Sequence, residues 1–220
     1  MSATIQRSKS GARQFPTVSL LLLSLALLAW FMPGWAEAWQ WQRDEPWQLW
    51  RWFTGHVCHW SADHLVWDAV VCIILGAWCE MRNRRSYVVL IGVSATAITL
   101  VVSLLCPQLS SYRGLSGIDS ALFGWLVAEL FVEALRRKDP RTLLVVTLMA
   151  GAFLVKTAFE ISSQATLFVS GASSFVPVPL AHIVGFVTGW IVVFLRETGS
   201  WRFLLSHIRR PRNSPLPART

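Results

Sequence analysis

An all-α membrane protein of six transmembrane helices, with both termini cytoplasmic, is the fold class this sequence predicts, and three observations predict it. First, the 220 residues are 54% hydrophobic and only 15% charged, whereas a soluble domain carries about 25% charged residues. Second, the apolar residues gather into runs at roughly 17–33, 64–80, 87–106, 115–135, 142–161 and 177–195. Each approaches the ~20 residues that a helix needs to cross ~30 Å of hydrocarbon. Third, the basic residues fall in alternate gaps. Arg7, Lys9 and Arg13, then Arg82, Arg84 and Arg85, then Arg136, Arg137, Lys138 and Arg141, then six arginines from Arg196 onward make sixteen of the twenty. All sixteen lie on one side in a six-span chain, and the positive-inside bias makes that side cytoplasmic. The formal charge of +8 therefore reads as topology and not as a nucleic-acid footprint, and no nucleic-acid partner is expected.

Taken in order, residues 1–14 form a cytoplasmic N-terminal segment, 15–196 the membrane domain, and 197–220 a basic, Pro-rich cytoplasmic tail with the composition of disordered chain. The first run follows Arg7, Lys9 and Arg13 as a signal peptide would, but no small-x-small cleavage site follows it. Trp30, Trp35 and Trp39 then suit an interfacial anchor, so the run is read as a retained span. The second span is the weakest, because His64, Asp68 and Glu80 interrupt or border it. Roughly thirty outer residues from Ala36 to Asp63 separate it from the first. They are dense in Trp and too aromatic for a flexible linker. An interfacial structure lying partly in the membrane surface and a simple aromatic belt both suit them.

Cys58 and Cys106 fall on the outer side, where a disulfide is chemically permitted, while Cys72 and Cys79 lie within the second span. No Cys or His spacing suggests a metal, and no cofactor is expected.

Ionisable and polar groups inside spans are costly and mark function by default. Ser116 opens the fourth span in YRGLSGIDSALFGWL. Gly114 and Gly117 around it allow a tight loop-to-helix turn, which sets the hydroxyl at a helix N-terminus whose free N–H groups can stabilise an oxyanion. His182 lies in PLAHIVGFVTGW, where Gly185 and Gly189 form a GxxxG packing face. Serine needs a base to become a nucleophile, and histidine suits that task. His182 lies fourteen residues from Arg196, about 21 Å, and Ser116 twenty residues from Arg136, about 30 Å. Both sit in the outer half, and the ~9 Å difference needs a tilted fourth span or one whose basic end extends into the cytosol. His64 and Asp68 share a helix face at similar depth. They suit either donation to an oxyanion, which requires Asp68 to be protonated, or an Asp68 that only orients His64.

These residues resemble the rhomboid family of intramembrane serine proteases. Trp50 and Arg51 resemble its WR motif, and His64 to Asp68 its HxxxN pattern with Asp in place of Asn. Gly114, Ser116 and Gly117 resemble its GxSG, continued by Ala121, Leu122 and Gly124, and Ala181, His182, Gly185 and Gly189 its AHxxGxxxG. The resemblance implies a rhomboid-like bundle, a Ser116–His182 dyad, an acyl-enzyme, and an oxyanion hole from the Ser116 N–H and the His64 side chain. It departs at Asp68 and at Ser120, which stands where an aromatic commonly stacks on the histidine. Asp119 or Ser120, three and four residues after Ser116, is then a candidate to orient His182.

The compact length, GLSG, and Lys156 with Glu160 as a candidate intramembrane pair are similar to rhombosortases. That resemblance implies a multi-pass protein of a bacterial inner membrane that cuts single-span substrates near the periplasmic face and removes C-terminal GlyGly-type anchors. A catalytically inactive rhomboid-like chaperone or binding protein is the alternative. The expected partners are transmembrane protein substrates and membrane lipid, with oligomeric state open.

Overall fold

The computed structural model describes residues 15–163 and 178–199. The N-terminal segment 1–14, the tail from 200 onward and the first residue of the expected sixth span lie outside the described residues. The chain is mostly helical: α1 (Thr17–Phe31), α2 (Trp35–Trp39), α3 (Arg51–Thr54), α4 (Ala62–Leu105), α5 (Ser116–Arg137), α6 (Pro140–Ser163) and α7 (Pro179–Glu197). A two-residue antiparallel ladder joins β1 (Trp41–Gln42) to β2 (Ser111–Tyr112), pairing Trp41 with Tyr112.

Three of the described helices, α4, α6 and α7, are long and apolar enough to cross a bilayer. At 44 residues α4 is twice the necessary length, and Asn83 leaves helical geometry at φ −156, ψ 86. The Asn83 side chain accepts from the Ser86 N–H at 3.1 Å, so it caps a new helix start. The arms 62–82 and 84–105 are each about 32 Å long, one bilayer thickness apiece. The expected second and third spans are thus continuous through a broken turn at Arg82 to Arg85, with no separate loop between them.

The acidic residue that weakens the second run has a partner elsewhere. Pro16 offers α1 no side-chain cap. Glu80, fully buried, accepts from the backbone N–H groups of Val18 at 3.0 Å and Ser19 at 2.9 Å, and from the Ser19 hydroxyl at 3.0 Å. A carboxylate from α4 satisfies the orphan donors of α1 and meets the positive end of its dipole.

Helices α5 and α7 form the tightest pair. A Cβ on Gly185 would lie 2.0 Å from the Gly117 carbonyl oxygen, one on Gly189 2.3 Å from that of Ala121, and one on Gly124 2.3 Å from that of Phe186. Small residues let the two backbones touch, as the GxxxG spacing predicts. Helix α6 packs through a single stripe, Val146, Phe153, Thr157 and Glu160, and leaves Leu148, Leu154, Val155 and Phe159 exposed.

Helix α5 runs further than α7 at their basic ends. Arg196 of α7 pairs with Glu129 of α5, thirteen residues beyond Ser116, and α5 continues two further turns to Arg137.

Three basic residues outside the four cationic clusters have specific partners. Arg43 donates to the carbonyls of Leu109 at 2.7 Å, Ser103 at 2.9 Å and Cys106 at 2.8 Å, closing the C-terminal end of α4. Arg51 donates to the Gln40 carbonyl at 2.9 Å and pairs with Glu45 at 3.1 Å. Arg113 pairs with Glu37 at 3.1 Å and lies over the Trp60 ring at 4.3 Å. The outer segment is therefore an ordered structure, while Trp47, Leu49, Trp50 and Phe53 stay exposed on it. Cys58 and Cys106 are both free and buried.

Candidate active site

Ser116 is the first residue of α5, after a Gly114 held at φ +130. Only glycine adopts that backbone readily, and a Cβ there would also lie 3.0 Å from the His64 ring. The first backbone bond of the helix runs from the Asp119 N–H to the Leu115 carbonyl at 2.9 Å, which leaves the amides of Ser116 and Gly117 without a partner inside the helix. Across the α5–α7 contact, His182 Nε2 stands 3.1 Å from Ser116 Oγ. Pro179 starts α7 one turn earlier, where its missing N–H removes no helical bond.

The other edge of the His182 ring meets a residue that was not a candidate for it: Nδ1 lies 3.0 Å from Glu160 Oε2 on α6, rather than against Asp119 or Ser120. Ser120 donates its hydroxyl to the Ser116 carbonyl at 2.8 Å, a bond along its own helix. Asp119 is buried, with Oδ1 unpartnered, and lies on the same cavity wall. The second oxygen of Glu160 accepts from Lys156 Nζ at 2.7 Å, as the i,i+4 spacing predicts.

Opposite these groups, Ser61 caps α4 by accepting from the His64 N–H, which sets His64 in the first turn. Asp68 Oδ2 lies 3.2 Å from His59 Nε2 and 3.3 Å from His64 Nε2, with the two imidazoles edge to face at 5.1 Å. One Asp68 oxygen thus contacts both His64 and a second, fully enclosed histidine. The contact occupies Nε2 of His64, the side chain that the family resemblance implies for the oxyanion hole. His59 was missed as a participant because its spacing of nine from Asp68 matches no helical period.

His56 was missed too. It is wedged at 3.2 Å from both the Ala95 carbonyl and Thr99 Oγ1, with Tyr112 against its edge. Burial pushes its imidazole down to about 4, and it takes no part in the site. Trp50 and Arg51 also lie in the outer segment, where Arg51 is a brace.

His64, Asp68, Ser116, Asp119, Glu160 and His182 line one cavity of about 1080 Å³, with Trp67, Phe123 and Phe153 among its apolar wall. Phe153 stacks at 4.4 Å on Phe186, one turn along α7 from His182. The apolar wall lowers the local dielectric, which strengthens hydrogen bonds to a developing charge. Among the described residues, no group of His, Cys, Asp and Glu suits a metal ion.

Residues 46–198 match the family model of the Rhomboid domain. No curated protein matches the chain.

Proposed function

We propose, from the premise that the chain belongs to the rhomboid family of intramembrane serine proteases, that it cuts single-span membrane substrates with Ser116 as nucleophile and His182 as base. The observation that carries this reading is the 3.1 Å approach of Ser116 Oγ to His182 Nε2 across a glycine-tight helix contact, inside a cavity. His182 Nε2 takes the hydroxyl proton as Oγ attacks the scissile carbonyl, and returns it to the leaving amine. The amides of Ser116 and Gly117 face the developing oxyanion at the positive end of α5. Water then releases the acyl group by the reverse sequence.

The placement proposed is six spans with both termini cytoplasmic: α1, the two arms of α4, α5, α6 and α7. The site then lies toward the periplasmic face of a bacterial inner membrane. The rhombosortase resemblance of GLSG, Lys156 and Glu160 supports removal of C-terminal GlyGly-type anchors as the task.

One observation favours a non-catalytic, chaperone-like reading. Asp68 brings a carboxylate where an amide donor is usual, and its charge opposes an oxyanion. Fluorophosphonate labelling of the purified, detergent-solubilised chain decides between the two. The protease reading expects labelling and substrate cleavage, both lost in Ser116→Ala. Absence of labelling in the unsubstituted protein, or full cleavage by Ser116→Ala, overturns it.

A further inference from the structure

The geometry points to Glu160 as a positioning residue that completes a Ser116–His182–Glu160 triad across three helices, where the family resemblance implies a dyad. This deepens the protease reading and rests on it.

Four observations carry it. Glu160 is 3% exposed, on the only buried stripe of α6. Its Oε2 meets Nδ1 of His182 at 3.0 Å while Nε2 of the same ring meets Ser116 Oγ at 3.1 Å. The contacts therefore run carboxylate, imidazole, hydroxyl, each ring nitrogen having one partner among the described residues. Third, Lys156 holds Oε1 at 2.7 Å from its place on the cavity wall, itself about one quarter exposed. A buried carboxylate is retained only when paired and hydrogen-bonded, and Lys156 supplies the pairing without competing for Oε2. Fourth, the rival orienting groups are not in place: the Ser120 hydroxyl is spent on Ser116 O, and Nδ1 faces Glu160.

A structural ion pair alone needs only Lys156 and Glu160, one turn apart on one helix. It does not require the second carboxylate oxygen to sit on the edge of the imidazole opposite the nucleophile. The chemistry assigned to Glu160 is accordingly static. It accepts Nδ1–H and so fixes the tautomer with a lone pair on Nε2. When Oγ bonds to the scissile carbon and the carbonyl π pair moves to oxygen, the hydroxyl proton goes to Nε2, and the carboxylate faces the imidazolium without taking a proton. The proton leaves Nε2 for the amine nitrogen as the C–N bond breaks.

The test uses the full chain in detergent, with Glu160→Gln, Lys156→Gln and Ser116→Ala beside the unsubstituted protein. Glu160→Gln should lower kcat by ~10²–10⁴-fold, with KM changed less than about threefold, and should slow fluorophosphonate labelling in parallel. Lys156→Gln leaves Oε2 on the ring and should stay within about tenfold of the unsubstituted rate. A low-field proton resonance from His182 Nδ1–H should appear in the unsubstituted chain, in Ser116→Ala and in Lys156→Gln, and vanish in Glu160→Gln.

Glu160→Gln with kcat within about threefold of the unsubstituted protein overturns the triad, as does an equal loss of kcat in Lys156→Gln. Should Glu160→Gln fail to fold, absence of the resonance from folded Ser116→Ala is the overturning result. Failure of the triad alone leaves Ser116-dependent cleavage intact. Failure of the protease reading shows separately, as cleavage or its absence independent of Ser116.

Discussion

A histidine enclosed without a carboxylate partner couples folding to acidity, and His56 is such a residue. Its Nε2 faces a carbonyl and a hydroxyl, neither of which stabilises an imidazolium as a carboxylate would. With the folded value pushed down to about 4 and an unfolded value near 6.5, the unfolded chain binds the proton first as pH falls. The contribution of neutral His56 is fully present above pH ~6.5 and is lost progressively between ~6.5 and ~4, by roughly 3 kcal/mol at most. Thermal melting in detergent should therefore fall over that window, and His56→Gln should flatten the fall. A melting temperature as steeply dependent on pH in His56→Gln would assign the effect to other groups. Residues of this kind were the least legible in the sequence. His56 and Thr99 are 43 positions apart, and Glu160 and His182 are 22 apart. Period-based reading finds only partners one turn away, so it paired Glu160 with Lys156 and looked for the orienting group at Asp119.

At the scale of elements, patterns that depend on local spacing were readable and contacts between elements were not. Gly185 and Gly189 signalled close approach because a four-residue repeat of small side chains faces one direction on a helix. The partner surface on α5, lined by Gly117 and Gly124, emerged only in the structure. The broken turn at Asn83 hid in plain view, since an Asn that caps an arm and an Asn in a loop look alike in sequence. The α5–α7 contact also sets the catalytic distance. An added methyl at Gly185 would meet the Gly117 carbonyl at 2.0 Å, an overlap relieved only when the helices separate. Gly185→Ala should cost about 1–3 kcal/mol or more. Movement by about 1 Å at the dyad should cost ~10²-fold in rate. The check is a melt together with the fluorophosphonate labelling rate. Labelling at the unsubstituted rate would mean that the dyad tolerates helix separation.

For the whole molecule, the question is which basic residues report topology. Six-span reading counts Arg43, Arg51, Arg113 and Lys156 as exceptions to the positive-inside bias, and the structure gives all four a local role. Arg43 closes α4, Arg51 ties segment 36–63 to itself, Arg113 ties that segment to the loop before α5, and Lys156 holds Glu160. A cation bound to carbonyls or carboxylates is neutralised or spent locally and says little about orientation. The clusters at Arg82 to Arg85 and at Arg136 to Arg141 are larger and more exposed. Although Arg82 reaches Glu129 and Glu133, Arg84 Glu80, Arg136 Glu197 and Arg137 Glu133, these clusters keep an excess of positive charge and should govern insertion. Alkaline phosphatase, active only outside the cytoplasm, should therefore be active when fused after Trp60 or Gln108 and inactive after Asn83 or Lys138. Replacing Arg43 with Gln should leave that pattern unchanged while lowering the melting temperature, since three carbonyls at the end of α4 lose their donor. A fusion at Lys138 as active as one at Trp60 would place the α5–α6 turn outside and remove the six-span arrangement, and with it the periplasmic position of Ser116.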